Sequence, residues 1–497
     1  MKKLPHLFLL FSAAISASLS AQTVIGKSEQ EIYGKARLIN QQDTGYKGIW
    51  YMISGAGQAG PVGDQYRFKY SGGLGTYPAN HYPFSVYAEE VDKTFFCYGG
   101  TDRDEKTLYH MVSYFDHNTG MVPRPTIVLD KATNDAHDNP VMQIDRDGYI
   151  WIFSTAHGTG RPSFIHRSTQ PYDISKFERV PATKIVGGKQ VPMDNFSYLQ
   201  IYYSDQHGFT GLFTHYEKKG GRVISWMTSP DGVTWSEWKD LSLLGVGQYQ
   251  SSGNQGELIG SAFNYHPNRK VRGGLDFRTN LYFLVTRDFG KTWETASGQP
   301  MDLPLTEVSN PALVHDYDSE ERNVYVMDVN FDKKGRPVIL YLTSKGPLPG
   351  PEDGPRTWHT AYWTGKKWDI KPFTTSGNNY DFGSLYVEGN KWVIIGPTTM
   401  GPQEYNTGGE MVLWQTTNKG KKWKKVKDLT WDSEYNHTYA RRPVHVQPDF
   451  YAFWADGHGR QHSESRLYFC DSKGNVFLLP TKMDAPFMKP IPVYQTK

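Results

Sequence analysis

The sequence predicts an all-β fold. From about Pro83 onward, short runs rich in β-branched and aromatic residues alternate with polar turn residues. No long stretch has the apolar spacing of an amphipathic helix, so a doubly wound α/β fold is disfavoured. Seven hairpins recur at intervals of roughly 45 to 65 residues, a spacing typical of propeller blades. We therefore predict a seven-bladed β-propeller with four-stranded antiparallel blades.

The predicted domain boundaries follow from composition. Residues 1–21 have the pattern of a secretory signal, with two lysines, the apolar run LFLLFSAAI and then small residues. No Cys follows that run, so a lipid-anchored form is not expected, and we predict a secreted or periplasmic protein. Residues 22–497 are predicted to form one propeller domain. Its Gly-rich part, 22–75, is interpreted as an irregular segment packed on the rest.

Each predicted hairpin has two short runs around a polar turn. In chain order they are FSVYAEE with KTFFCYGG, PVMQI with YIWIF, YLQIYYS with FTGLFTHY, a pair around GNQG, NVYVMDVNF with RPVILYL, DFGSLYVE with KWVIIG, and RRPVHVQ with FYAFWA.

A second repeat supports the propeller. The tracts SPDGVTW (229–235), TRDFGKTW (286–293) and TTNKGKKW (416–423) resemble the Asp-box S-x-D-x-G-x-T-W. The acidic residue and the Gly form a turn and the Trp packs the hairpin. The third copy has Asn418 in place of Asp. Such boxes indicate a fold and say little about chemistry.

Composition narrows the function classes. The net charge of +3 over 497 residues gives no general indication of nucleic-acid binding. Only Cys97 and Cys470 are present, which excludes a disulfide scaffold, and two free thiols are favoured over one disulfide. No stretch after the signal is long enough to span a membrane.

Two histidines are predicted to meet at one end of a hairpin. The turn DRDG is centred near Asp147, and His137 and His157 lie ten residues before and after it. A lone His at a strand end is more often a structural hydrogen-bonding group. Two imidazoles at one open end favour an active site.

The same spacing rule selects His, Tyr and Arg from other hairpins. We predict that these residues share the face of His137 and His157: Tyr198, His215, Arg222, Tyr265, His266, Arg278, Tyr380, His437, Tyr439, His458 and Arg460. Such a face suits an acidic substrate. Tyr198 could instead serve in packing, and Arg222 could be a solvated turn residue.

This combination of groups suits β-elimination in a uronic acid polymer. A base removes the proton beside the carboxylate, and an acid protonates the oxygen that leaves the neighbouring carbon. A cation or strong donor neutralises the carboxylate. His and Tyr can act as base and acid, and this chemistry requires no metal or organic cofactor.

Three tracts resemble a known family. HDNPVMQIDRDGYIWIFSTAHGTGRPSFIHRS, NFSYLQIYYS with FTHY, and SAFNYHP are similar to the seven-bladed lyases of polysaccharide lyase families 24 and 25. These are ulvan lyases, which cut the sulfated rhamnose and uronic acid polysaccharide of green algae. The resemblance implies His137 and Tyr198 as the base and acid pair, His157 as a second active-site His, and Tyr265 as a substrate contact.

One position departs from the family. The resemblance implies a neutralising Arg in the FTHY tract, where this chain has His215. A His carries full charge only when protonated, whereas Arg is always cationic and can bind bidentately. Either Arg222 or Arg278 then compensates, or the substrate or activity has shifted. Tyr380 is expected on the same face.

Alternatives remain open at this stage. One is a glycoside hydrolase of the same propeller type, acting on rhamnose linked to glucuronic acid. Hydrolysis would need two carboxylates, and Asp135, Asp138 and Glu404 show no convincing pairing in the sequence. The other alternative is a propeller that binds an acidic glycan without cutting it. The expected partner is an acidic polysaccharide, with no nucleic acid or membrane, and the protein is expected to be a monomer.

A structural zinc site is a further hypothesis. His and Cys are zinc ligands, which makes His266, His458 and Cys470 candidates. Their spacing lacks the compactness of CxxC or HxxxH, so the signal is weak.

Overall fold

The structure is a computed structural model that describes residues 33–54, 64–74, 80–102, 107–216, 221–269 and 276–493. The predicted secretory signal, 1–21, lies outside the described residues. Within them the regular structure is almost wholly strand, which confirms the all-β prediction. Three short 3-10 helices cover Asp64–Tyr66, Glu89–Val91 and Ala136–Asp138.

The strands are numbered in chain order. The first group is β1 (Arg37–Gln42), β2 (Tyr51–Ser54), β3 (Phe68–Gly72), β4 (Ser85–Ala88), β5 (Lys93–Gly100), β6 (Tyr109–Asp116), β7 (Val122–Pro123), β8 (Thr126–Asp130), β9 (Pro140–Ile144), β10 (Ile150–Ser154), β11 (Phe164–Ser168) and β12 (Phe177–Arg179). The second group is β13 (Thr183–Val186), β14 (Lys189–Pro192), β15 (Ser197–Ser204), β16 (Gly208–Tyr216), β17 (Arg222–Ser229), β18 (Thr234–Trp235), β19 (Lys239–Ser242), β20 (Gln250–Gln255), β21 (Leu258–Tyr265), β22 (Thr279–Thr286) and β23 (Leu313–His315). The third group is β24 (Asn323–Phe331), β25 (Pro337–Ser344), β26 (Arg356–Trp363), β27 (Trp368–Ser376), β28 (Ser384–Glu388), β29 (Lys391–Thr399), β30 (Glu410–Thr416), β31 (Lys424–Asp428), β32 (Asn436–Arg441), β33 (Ala452–Gly457), β34 (Leu467–Cys470), β35 (Val476–Leu478), β36 (Phe487–Met488) and β37 (Ile491–Val493).

The prediction of seven uniform four-stranded blades is wrong. The described residues form an all-β propeller with eight sheets of three or more strands. Five sheets have four strands, two have five and one has three, and two further sheets are two-stranded. In pairing order they are β1-β8-β6-β5-β4, β12-β11-β10-β9, β14-β13-β18, β15-β16-β17-β19, β20-β21-β22-β23, β24-β25-β26-β27, β28-β29-β30-β31, β32-β33-β34-β35-β37, β2-β3 and β7-β36.

The miscount has a local cause. The sequence pattern identifies the first hairpin of each repeat, but it does not identify the short hairpin β13-β14. In the structure that hairpin gains β18 as a parallel neighbour, with Lys184 opposite Trp235, and so forms a sheet of its own. The five-stranded sheets arise because β1 joins β8 and β37 joins β35 at their outer edges.

The last predicted hairpin is also displaced. RRPVHVQ is largely a connection, because the paired strands are β32 and β33 and the chain turns with φ of 56° at His445. This connection closes the ring, since the Tyr87 amide donates to the Val444 carbonyl at 3.0 Å. The connection between β32 and β33 thereby meets the first sheet.

The predicted irregular segment, 22–75, contains regular structure. Its strand β1 pairs with β8, and β2 pairs with β3 as a hairpin. The aromatic residues Tyr46 and Trp50 of this segment are buried against the propeller. The described parts of this segment, 33–54 and 64–74, therefore belong to the folded body, and they carry a lysine into the site described below.

Apolar packing between neighbouring sheets forms the core. The Asp-box turns behave as predicted: Asp231 accepts from the amides of Val233 and Thr234 at 2.8 Å, and Trp235 is buried.

Cys97 and Cys470 are both free and buried, as favoured from the sequence. Among the residues described, no helix is long and apolar enough to cross a membrane.

Candidate active site

His137 is held at the start of the second sheet. It lies in the 3-10 helix Ala136–Asp138, whose N-cap residue Asp135 accepts a hydrogen bond from the His137 amide at 3.0 Å. The same carboxylate contacts the Nδ1 atom of the His137 ring. The ring is 8% exposed. Capping therefore fixes both the backbone and the ring of this histidine.

His157 meets His137 as the hairpin geometry predicts. In the β9-β10 pair Ser154 lies opposite Pro140, so the residues beyond those ends are neighbours. The two imidazole rings stack with centroids 3.7 Å apart and planes 7° from parallel. His157 is the exposed member of the pair. The two histidines form a site that reaches solvent.

Asp135 connects the two rings. Its Oδ2 atom lies 2.9 Å from Nδ1 of His157, while Oδ1 contacts His137. When each neutral ring donates its Nδ1 proton to this carboxylate, the ring lone pair is on Nε2. Although burial raises the pKa of Asp135, hydrogen bonds from His137 and His157 lower it overall. Asp135 therefore stays ionised and fixes both tautomers.

A buried ion network supports this carboxylate. Arg161 binds Asp135 at 2.7 Å and Asp138 at 2.5 Å. Lys131 lies 3.5 Å from Asp138 and donates to the Thr155 carbonyl at 2.7 Å. Two of the three carboxylates considered for hydrolysis, Asp135 and Asp138, are thus paired with cations. They act as supports of the histidine pair in this arrangement.

Burial sets the protonation state of His137. It lowers the pKa of this ring, and the Asp135 carboxylate opposes the shift only in part. The ring is therefore mostly neutral at neutral pH. A neutral imidazole with its lone pair on Nε2 can accept a proton.

An unusual backbone conformation places Tyr198 against the histidine pair. A register shift between Ser197 and Gln200 interrupts the β15-β16 pairing, and Tyr198 has a φ of 51°. A bulge of this kind re-aims a side chain, and a left-handed tyrosine is strained. The Tyr198 ring lies 5.2 Å from the His137 ring and 5.6 Å from the His81 ring.

Two further tyrosines surround Tyr198. Tyr216 is hydrogen-bonded to Tyr198, and burial raises the pKa of Tyr216 to about 12. The Tyr216 ring also lies 5.8 Å from His157. On the other side, Tyr249 lies 5.6 Å from Tyr198. The Tyr216 phenol is therefore protonated beside the histidine pair at neutral pH.

A group of cations follows beyond Tyr249. The Arg278 guanidinium lies 4.4 Å from the Tyr249 ring centroid, and Arg222 lies over the same ring at 4.9 Å. Arg222 also donates to the Tyr249 hydroxyl. Arg278 donates to the Tyr380 hydroxyl at 3.0 Å. We call Lys69, Arg222 and Arg278 the cation cluster.

Lys69 comes from the N-terminal hairpin β2-β3. Its ammonium contacts the Asp276 carboxylate, and both side chains are largely buried. Burial, with Arg278 and Arg222 nearby, lowers the pKa of Lys69 to about 7, while the Asp276 contact favours the charged form. The three cations also act on His266, whose pKa is lowered first by burial and then by these charges. A bound anion would relieve the repulsion among these positive charges.

The predicted residues divide into two sets. The structure brings His137, His157, Tyr198, Arg222, Arg278 and Tyr380 into one contiguous group. Tyr265 instead donates to Asp318 at 3.2 Å, beside Arg269. The contacts defined for His215 are with Ser225 at 2.9 Å and the Trp238 ring, on outer strands of its sheet.

The three predicted metal ligands do not form a group. The Nδ1 atom of His266 lies 3.1 Å from the Phe277 carbonyl oxygen, and the Arg460 amide donates to Nδ1 of His458 at 3.1 Å. Cys470 is buried, and burial raises the pKa of its thiol, which opposes zinc binding by a thiolate. Among the described residues, the potential ligand atoms of Asp135, His137 and His157 do lie within 4.8 Å of one another.

Sequence reasoning missed several residues of the site. Lys69 was missed because its segment was interpreted as irregular. Tyr249 was missed as well; it lies just before the strand β20. Asp135 was noticed only as a possible hydrolytic carboxylate. The D-x-H spacing before a β-strand, with the Asp as N-cap, was the available signal. The group as a whole offers a neutral imidazole, several phenols and three buried or half-buried cations, which together can deprotonate and neutralise an acidic substrate.

The chain is similar in sequence to a family of repeat proteins and to a known enzyme. Residues 105–376 match the model of a BNR repeat-containing family member. An ulvan lyase of Nonlabens ulvanivorans is 26% identical over 321 residues, which cover 59% of this chain and 65% of that protein. The chain thus matches slightly less than two thirds of that relative.

Two solved structures share the fold. A polysaccharide lyase PL25 ulvan lyase has a TM-score of 0.63 and 18% identity, covering 87% of this chain and 96% of the other. The same type of enzyme bound to -[GlcA(1-4)Rha3S]- has a TM-score of 0.61 and 17% identity, with the same coverage. The expected resemblance to ulvan lyases is confirmed.

Proposed function

Because the chain belongs to the BNR repeat-containing family and has an ulvan lyase among its relatives, we propose that it is a polysaccharide lyase. Its substrate is a sulfated polymer that contains uronic acid, such as ulvan, and the reaction is β-elimination. The observation that carries this proposal is the position of Tyr198. Its ring lies between the buried His137 and Tyr249, which carries the cation cluster.

The proposed reaction uses these groups in a fixed order. The cation cluster binds the uronate carboxylate and stabilises the negative charge that develops when the neighbouring proton leaves. His137 takes that proton on Nε2, because its Nδ1 is held by Asp135. Tyr198 gives its proton to the departing glycosidic oxygen, and a double bond forms in the sugar ring. His157 aligns the His137 ring by stacking.

The cation cluster accounts for the loss of the family's arginine at His215. Arg222 and Arg278 both lie against Tyr249, and Lys69 interacts with them electrostatically. Three cations from separate parts of the chain thus take the place of the single arginine that the family resemblance implies. Hydrolysis by a carboxylate pair is disfavoured because Asp135 and Asp138 are both bound by Arg161. We also propose an exported protein, on the basis of the signal-like residues 1–21.

Product analysis in water labelled with heavy oxygen tests this proposal. Elimination yields an unsaturated product one water lighter than the hydrolysis product, without label at the cleaved bond. Hydrolysis would introduce the label and exclude the lyase assignment. Binding without any cleavage would instead indicate a glycan-binding module.

Replacing Asp135 by Asn is expected to lower kcat by about 10²-fold, because the tautomer and orientation of His137 are no longer fixed. The side-chain oxygen of the new amide would still cap the short helix, so the melting temperature should change little. Steady-state kinetics and thermal unfolding measure the two effects. An equal loss in an Arg167→Ala variant, which alters a surface ion pair in the same sheet, would contradict a specific role.

The pH profile should reflect the lowered pKa of His137. The neutral ring is the base, so kcat/KM is expected to rise with pH through a value below 6.5, and to fall again above about 7, where Lys69 loses its charge. Asp135 raises the pKa of His137, so in the residual activity of the Asp135→Asn variant the rise should lie at a still lower pH. An acidic limb centred above 6.5 would contradict His137 as the base.

A further inference from the structure

In the proposed mechanism one tyrosine beside the acid has no role. Tyr216 is the last residue of β16 and directly follows His215. Its ring centroid lies 5.8 Å from that of His157, and it is hydrogen-bonded to Tyr198. The FTHY tract therefore does reach the site, through the residue that follows the position of the expected arginine.

Close packing places the Tyr216 ring. Gly158, in the loop after β10, has a φ of 61°, and a Cβ atom there would lie 3.4 Å from Cγ of Tyr216. The Gly158 amide donates to the Ser197 hydroxyl at 3.2 Å, just before Tyr198 in β15. The loop and the start of β15 are thus joined where the two phenols meet, so the ring of Tyr216 and its hydroxyl have a defined position.

Two histidines and two tyrosines form two layers. The inner layer, His137 and Tyr198, is buried, with ring centroids 5.2 Å apart. In the outer layer His157 is exposed and Tyr216 is half-buried. Each inner group has an outer partner of its own kind, because the imidazoles stack at 3.7 Å and the phenols share a hydrogen bond. The proposed acid is therefore supported by a second phenol as the base is by a second imidazole.

The reaction determines which phenol donates to the other. Tyr198 has to direct its own proton at the departing glycosidic oxygen, so that proton is not available to Tyr216. The Tyr216 hydroxyl then donates to the Tyr198 oxygen, on which negative charge develops as its proton leaves. Tyr216 keeps its own proton, because burial raises its pKa to about 12. A fixed donor to an oxygen that gains negative charge stabilises the transition state.

We propose that Tyr216 is a positioning residue for the elimination. Its hydroxyl donates to the Tyr198 oxygen, directs the Tyr198 proton at the leaving oxygen and stabilises the phenolate that forms. This inference rests on the proposed function. Tyr216 makes Tyr198 a stronger acid in this role, and so it contributes to kcat rather than to binding of the polymer.

A double-variant cycle tests the dependence on Tyr198. Tyr216→Phe keeps the ring and removes the hydroxyl, so kcat on ulvan should fall about 10-fold with KM and the melting temperature unchanged. Tyr198→Phe has no proton to give, so adding Tyr216→Phe to it should cause no further loss. A further loss of the same size in that background would overturn the inference, because Tyr216 would then act independently of Tyr198.

A change of leaving group tests the chemical role. The substrate is an oligosaccharide of the same polymer that ends in a uronate with a nitrophenyl group on its 4-oxygen, because nitrophenolate leaves without a proton. Tyr216→Phe and Tyr198→Phe should both approach the rate of the unaltered protein on it, whereas His137→Ala should stay slow. An undiminished loss in Tyr216→Phe would mean a purely structural role and overturn the inference.

Tyr203→Phe is the matched control. Tyr203 is a half-buried phenol near the opposite end of β15 from Tyr198, with its ring centroid 4.9 Å from that of Phe209. It should keep normal kcat, and a loss equal to that of Tyr216→Phe would overturn a specific role. Elimination that Tyr216→Phe leaves at full rate would overturn this inference alone. No elimination by the unaltered protein would overturn the proposed function as well.

Discussion

Replacing His137 by alanine is expected to lower kcat on ulvan by about 10³-fold, the contribution typical of a positioned general base. The ring is buried, its Nδ1 is held by Asp135, and burial lowers its pKa, so it accepts a proton at neutral pH. Initial rates of formation of the unsaturated product measure the effect. Affinity for the polymer should be largely kept, because the cation cluster remains.

His207→Ala is the matched control. His207 lies in the turn between β15 and β16 and pairs with Glu257 at 3.2 Å, so the variant also removes a paired imidazole. It should retain normal activity. If the His137 variant kept more than about a tenth of kcat, a general base at this position would be excluded.

The Lys69→Met variant is expected to lower kcat/KM for the polymer by about 10²-fold, because one of the three cations proposed to bind the uronate carboxylate is lost. The Met side chain keeps the apolar stem of Lys. Lys69→Arg should restore most of the activity, since the positive charge returns. Kinetics on polymer and thermal unfolding together report the effect.

The ion pair with Asp276 needs its own control. Lys69→Met alone leaves this carboxylate buried without its cation, which could destabilise the protein. The double variant Lys69→Met/Asp276→Asn removes both charges and should regain stability without regaining activity. Lys93→Met, which removes a cation paired with Asp116, should leave kcat/KM unchanged. Recovery of activity in the double variant would show that Lys69 is only structural.

The sequence predicted the strands well because their signals are local. The hairpin of PVMQI and YIWIF was predicted from turn residues and periodicity alone, and β9 and β10 pair as expected. The number of sheets was predicted wrongly because it depends on edge pairing. Whether β13-β14 stands alone or joins another sheet depends on its contact with Thr234 and Trp235, about 50 residues further along the chain.

The site was predictable where spacing along one hairpin determines it. His137 and His157 meet for that reason. Tyr198 lies on the predicted strand, but the position of its ring depends on a bulge and a left-handed φ. Neither feature can be predicted from the residue types. Lys69 could not be found, because a hairpin that precedes the propeller carries it beside Asp276. Tyr265 and His215 satisfy the spacing rule, yet Asp318 and Ser225 hold them elsewhere.

Ultraviolet absorbance of a mixture of ulvan and the purified protein tests the central claim most directly. The band to follow is that of a 4,5-unsaturated uronyl product, with the His137→Ala variant measured in parallel. The account predicts a steady rise for the unaltered protein and almost none for the variant. New reducing ends without any rise in absorbance would contradict it, because they would mean hydrolysis.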